Sequence, residues 1–385
     1  EHTVSKRKAL LPGTYTVVVI NSDGGPVMSN NSSILERILS TLVPTAYAFP
    51  GASLILHFTV VGEEVPVGIS NILFLPGIQA SRLYTDEGGS ERKLWEPTGD
   101  SDVELLRMTD TGESINDVYT KDVVDEVYSS SLAGSIYKKF LGYLENIDGV
   151  SAPQVRSFPY DWRHDVFDIV ENGTKDENGL MKNPVATLEY LAAISPTKKT
   201  TLIAHSNGGL LAKAIMLKLK EEGKENLVDK VIFIATPHLG TPKGLAALLH
   251  GHDQENLSGV VSTDEKVRSV MKNMPGVYGL LPSEAYVGSL SEPLISFDDS
   301  STTKKYRDAY GFTISNMDEY TRFLNGIEGR IDAGNNINEP STANSTMLAG
   351  SLQSHREKLD TWTAPAGVEV FNIVGTGLPT AKSIE

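Results

Sequence analysis

The chain has 385 residues, 40% hydrophobic and 22% charged, enough for one large domain with attachments or for two domains. A formal charge of −15 argues against nucleic-acid binding, and Lys6-Arg7-Lys8 is too short a basic cluster to offset it. The absence of cysteine excludes disulfides, thiolate metal sites and cysteine nucleophiles, and no apolar run approaches the roughly 18 residues of a membrane span.

Residues 1–65 read as a small β-rich segment. GTYTVVVINSDGG (13–25) is a β-branched run entering a turn cluster, and ASLILHFTVVG (52–62) is a second strand. The pair resembles the last hairpin of a bacterial immunoglobulin-like surface domain. Between them Ser33 is placed to cap a helix over ILERILSTL. Ala46-Tyr47-Ala48 has the form of a signal-peptidase site, but Glu36 and Arg37 break the apolar stretch before it. Glu63 to Gly68 is the expected boundary.

From Asn71 the rhythm becomes α/β. ILFL (72–75) is wholly apolar and suited to burial on both faces. A helix is expected at 131–147, a strand at 154–158, a helix at 183–194 and a strand in TLIAHS. A helix over GLLAKAIMLKLKEE, a strand at 231–236 and a late strand at 368–375 complete the series. This alternation predicts a mostly parallel, doubly wound sheet in a domain spanning 69–385. Two stretches, about 79–130 and 245–365, are polar and show no clear strand period. They are expected to be cap or lid insertions, although surface loops would have the same composition.

Ala204-His205-Ser206-Asn207-Gly208 matches the nucleophile elbow G-x-S-x-G, with Ala204 in the first small position and Gly208 in the last. The sharp strand-to-helix turn leaves no room for larger side chains there, and the helix dipole at Ser206 favours developing negative charge. A bare pentapeptide also suits a Ser-Gly turn capping a helix. The apolar strand before it and the helix after it favour catalysis. In this architecture the oxyanion hole takes one backbone N–H from the residue after the nucleophile and one from the loop after the first strand. Those are Asn207 and Ile78, although Pro76-Gly77 alone reads as a plain turn.

LPGIQASRL, FPYDWR, AHSNGG, ATPHLGTPKG and IVGTGLPT occur in this order. Together they resemble the lecithin:cholesterol acyltransferase family, which includes lysosomal phospholipases and bacterial lipase-like relatives. The resemblance implies an α/β-hydrolase fold with a cap, acyl-ester hydrolysis or transfer, a lipid or other acyl-ester substrate, transient contact with a membrane surface and no metal or organic cofactor. It makes Ser206 the nucleophile and Ile78 and Asn207 the oxyanion positions. Tyr160, Asp161, Trp162 and Arg163 match the PYDWR box, read as a structural lock of stacking and a charge-assisted pair.

In this fold the chain order is Ser, acid, His. In the family the acid follows the GTG-x-PT segment in a D-G-D-x-T-V-like motif, with the histidine later. Both are therefore expected beyond Glu385, so the 385-residue chain is expected to be nearly inert alone. His205 points to the opposite strand face from Ser206 and is not expected to be its base. His238, in TPHLGTP, is a candidate for substrate contact. His250-Gly251-His252-Asp253 reads as a solvated loop, Asp298 and Asp299 as surface charges, and His355 as exposed on a charged helix. The function expected is serine-dependent acyl-ester hydrolysis or O-acyl transfer by an exported or cell-surface bacterial protein. The alternatives are a thioesterase or amidase on the same fold, or a non-catalytic surface module.

Overall fold

The computed structural model describes residues 13–21, 52–60, 69–128, 133–146, 154–251, 263–330, 332–334 and 336–385, the first two segments by backbone alone. The helix expected after Ser33, the Ala46-Tyr47-Ala48 pattern, the 63–68 boundary, and His252 with Asp253 lie outside them. Strands Gly13–Asn21 and Ala52–Val60 pair as an antiparallel hairpin.

The centre of the chain is a five-stranded parallel sheet. Its strands are β1 (Asn71–Leu75), β2 (Val155–Ser157), β3 (Thr200–His205), β4 (Val228–Ile234) and β5 (Glu369–Ile373), in the order β5-β4-β3-β1-β2. The middle strand, β3, ends in the elbow, and Ala204 is in register with Leu75 on one side and Phe233 on the other. Every residue of β1 and all but the last of β3 are buried. That is why these strands read as continuous apolar runs: a parallel strand with both faces covered has no polar side to show.

Alternate residues serve opposite faces. Leu73, Leu75, Leu202 and Ala204 join the larger core with Leu188 and Leu191 of helix α2 (Pro184–Ile194) and Leu210, Leu211 and Ile215 of helix α3 (Gly208–Glu221). Ile72, Phe74 and Ile203 meet Tyr137, Phe140 and Leu144, the last two from helix α1 (Lys138–Glu145). Helix α2 starts where the sequence places it, because Asn183 accepts from the N–H groups of Val185 and Ala186 and Pro184 occupies the first turn.

The region 79–130 departs from the sequence expectation. It contains a three-stranded antiparallel sheet of Ser81–Glu87, Ser90–Trp95 and Val118–Val123. Its strand period is hidden because polar side chains are satisfied by pairing. Arg82 binds Glu96 at 3.0 Å, Asp122 at 2.7 Å and Asp125 at 3.1 Å. The region 245–365 is mostly helical and has its own apolar cluster, including Leu245, Leu248, Tyr278, Tyr320 and Phe323. Arg268, buried there, donates to the carbonyls of Leu249, Gly334, Asn336 and Glu339 and so ties the loop at 334–339 to the helices.

Two further expectations are corrected. His355 is buried at 1% exposure: its Nδ1 lies 2.7 Å from Asp360 Oδ1 and its Nε2 donates to the Gly279 carbonyl at 2.9 Å. Its neighbours Arg356 and Lys358 are exposed while His355 and Leu359 are buried, as four-residue spacing on a helix allows. His250 closes the last turn of Pro242–His250, its Nδ1 on the Ile337 carbonyl, instead of lying in a loop. Asp298 and Asp299 are exposed. Among the described residues, no helix is long and apolar enough to cross a membrane and no carboxylate–histidine group could hold a metal ion.

Candidate active site

Ser206 sits between the end of β3 and the start of α3 with φ +52°, in the left-handed region that costs a non-glycine residue energy. Both of its peptide groups are held: its N–H donates to the Ile234 carbonyl and its carbonyl accepts from the Gly209 N–H, each at 2.9 Å. The strain is thereby imposed by the sheet and helix together, and Ser206 remains partly exposed while Ala204 and Gly208 are buried.

The small residues around it have a steric cause. A Cβ on Gly208 would lie 2.4 Å from the Leu75 carbonyl oxygen and 2.6 Å from that of Pro76. A Cβ on Gly77 would lie 3.1 Å from Ser206 Cβ and 3.2 Å from His205 Nδ1. The tightest position, which sequence reasoning missed, is Gly209, where a Cβ would meet Thr236 Oγ1 at 2.1 Å and Cγ2 at 2.3 Å. Gly209→Ala is therefore expected to destabilise the protein by about 1–3 kcal/mol or more, as overpacking of a close contact does. Adding Thr236→Gly should recover part of that loss. Urea unfolding of the single and double variants checks both, and an unchanged midpoint for Gly209→Ala would refute the contact.

Ile78 and Asn207 carry backbone N–H groups that have no hydrogen-bond partner among the described residues. An oxyanion hole requires two free amides that also converge on one point beside the nucleophile. No side chain among the described residues hydrogen-bonds to the Ser206 hydroxyl.

The PYDWR box ties this loop to the elbow. Tyr160, fully buried, donates its hydroxyl proton to the Pro76 carbonyl at 3.0 Å and accepts from Asn207 Nδ2 at 3.1 Å. Asp161 takes both Nε and Nη2 of Arg163, at 2.9 and 2.6 Å, while Arg163 Nη1 donates to the Leu106 carbonyl at 3.1 Å. Burial alone would raise the Asp161 pKa, but the Arg163 charge and hydrogen bonds outweigh it and hold the carboxyl below its ordinary value. Trp162 donates Nε1–H to the Ser81 carbonyl, and its ring packs edge-on against Trp95.

The histidines are otherwise engaged. His205 Nδ1 lies 2.7 Å from the Tyr137 hydroxyl, and burial lowers its pKa. His238, just past β4, places Nε2 3.0 Å from Asn372 Oδ1 of β5, which leaves its buried Nδ1 without a partner among the described residues. Burial and then the nearby Lys213 charge lower its pKa. His355 has both ring nitrogens occupied, so its Asp360 pairing does not make it available to Ser206.

The family model of lecithin:cholesterol acyltransferase matches residues 120–384. A solved structure, the Tle4–Tli4 complex, is similar over 78% of this chain and 74% of that chain, with 15% identity and a TM-score of 0.41. No curated protein matches the sequence.

Proposed function

Because this chain belongs to the lecithin:cholesterol acyltransferase family, we propose that it carries the nucleophile and oxyanion hole of a serine-dependent enzyme that hydrolyses lipid-like acyl esters or transfers their acyl groups. The observation that carries the reading is Ser206, held at φ +52° between strand and helix beside the unbonded Ile78 and Asn207 amides. In this reading the Ser206 hydroxyl attacks the acyl carbonyl carbon and its proton passes to an imidazole. The two amides stabilise the oxyanion, the alcohol leaves, and the acyl-enzyme passes to water or to an acceptor alcohol.

The imidazole and its acid are assigned to residues other than His205 and His355. Support comes from the chain order of this fold and from the engagement of His205 and His355 elsewhere. His238 is assigned a position near the substrate. Residues 79–130 and 245–365 are assigned to a cap over Ser206. The two regions meet where Asn344 Nδ2 donates to the Asp110 carbonyl at 2.7 Å and Thr263 N–H to Asp100 at 3.0 Å. Export or surface display is proposed from the hairpin at 13–60.

The test is an acyl-group panel offered to the full-length gene product: p-nitrophenyl esters, a thioester and an anilide, each with and without an alcohol acceptor. Ester turnover should dominate. Preference for the thioester or anilide would replace the proposed substrate class, and no turnover of any of them would overturn the enzymatic reading.

A further inference from the structure

We propose that Tyr137 and Tyr160 are paired positioning residues whose hydroxyls clamp one peptide plane, Pro76–Gly77, onto the two residues that flank Ser206. This inference rests on the function proposed above and names what aligns its oxyanion hole.

The two ends of that plane are held by different tyrosines. At one end the Pro76 carbonyl accepts from the Tyr160 hydroxyl at 3.0 Å; at the other the Gly77 N–H donates to the Tyr137 hydroxyl at 3.1 Å. Each hydroxyl has a second partner on the elbow. Tyr160 accepts from Asn207 Nδ2 at 3.1 Å, and Tyr137 lies 2.7 Å from His205 Nδ1. With the Gly77 N–H donated to the Tyr137 oxygen, sending the tyrosine proton to His205 Nδ1 leaves each of these donors paired, and on that ground we assign the histidine as the tautomer protonated on Nε2. The loop after β1 is thus bridged to both neighbours of the nucleophile.

The consequence falls on the next peptide. The Gly77 carbonyl accepts from the Ala80 N–H at 3.2 Å, which fixes the oxygen end of the Gly77–Ile78 plane and turns its N–H end, the unbonded Ile78 amide, away from that contact. Two consecutive planes are pinned and one N–H is left over. Catalysis by an oxyanion hole depends on such donors being aligned before the charge develops, so that no reorganisation is needed in the transition state. Burial raises the pKa of both tyrosines, which keeps both hydroxyls protonated for these bonds. Burial also lowers that of His205, which keeps the imidazole neutral and able to accept.

Tyr137→Phe and Tyr160→Phe keep the ring packing and remove only the bridges. In the full-length gene product, with a p-nitrophenyl ester as substrate, each should lower kcat about tenfold or more, short of the roughly hundredfold loss of an oxyanion donor itself. KM should stay within about twofold. Affinity for a trifluoromethyl ketone, which binds as the tetrahedral adduct, should fall with kcat. The double variant should lose less than the product of the two single losses, because both tyrosines act on one plane. Should Tyr160→Phe not fold, Tyr137→Phe alone carries the test, since its partner His205 is partly exposed. Unchanged kcat, or losses in which KM rises as much as kcat falls, would overturn the clamp. Ser206→Ala assayed alongside separates the two ideas. Serine-dependent turnover with indifferent tyrosines sinks the clamp alone, whereas turnover independent of Ser206 sinks the proposed function and the clamp with it.

Discussion

Exchange of Ser206 for alanine in the full-length gene product is expected to reduce ester turnover on the order of a million-fold, the scale seen when a triad serine is removed from other hydrolases. The size of the effect follows from the division of labour. In the proposed mechanism the oxyanion amides and substrate binding persist in the variant and sustain about a thousandfold over water. Covalent catalysis, which needs the activated hydroxyl, does not persist. The 385-residue chain assayed by itself should sit close to the Ser206→Ala level if its acid and base lie downstream. Serine-dependent turnover by that chain at the level of the long form would place the base within it. His238, with a buried Nδ1 lacking a described partner, would then be the first residue to test.

The second large effect concerns stability. Arg163→Ala is expected to cost about 3–5 kcal/mol, because it leaves the Asp161 carboxylate buried with its main counter-charge gone. That is a large share of the roughly 5–15 kcal/mol that holds a domain together. Replacing both partners by apolar residues, Asp161→Leu with Arg163→Met, should cost less than Arg163→Ala alone. The pH dependence has a definite sign. In the native protein the Asp161 pKa is lowered, so its contribution is present above the ordinary carboxylate range and is lost as pH falls through the folded value. In Arg163→Ala burial dominates and the folded pKa rises above the unfolded one. The deficit should therefore be largest at neutral pH and shrink as pH falls toward 4. An unfolding free energy for Arg163→Ala, from urea titration, within about 1 kcal/mol of the native protein would show that the pair is dispensable.

These expectations mark where the sequence was informative. The strands β1 and β3 and the helix after Ser206 were legible because burial on both sheet faces demands unbroken apolar runs, and because the close approach at Gly208 demands a small residue. The antiparallel sheet at 81–123 was not legible. Its strand SERKLW shows no period of two, being buried only at Leu94 and Trp95, and its polar residues are placed by partners distant from the strand pattern, such as Asp102 for Arg92. His355 misled for a related reason: charged neighbours suggested exposure, whereas the residue itself faces Gly279 and Asp360. Tyr137 carried no signal at all. SIYKK gives an aromatic residue before a helix, and the partners of its hydroxyl, Gly77 and His205, are 60 and 68 residues away in sequence.

The central claim is that Ser206 is the nucleophile, and covalent trapping tests it most directly. The full-length gene product would be treated with a fluorophosphonate, digested, and mapped by mass spectrometry. The account predicts one phosphonyl adduct, on the peptide that carries Ser206, forming in step with loss of ester turnover and missing from Ser206→Ala. Loss of turnover with the adduct on another residue, or full turnover retained with Ser206 modified, would contradict it.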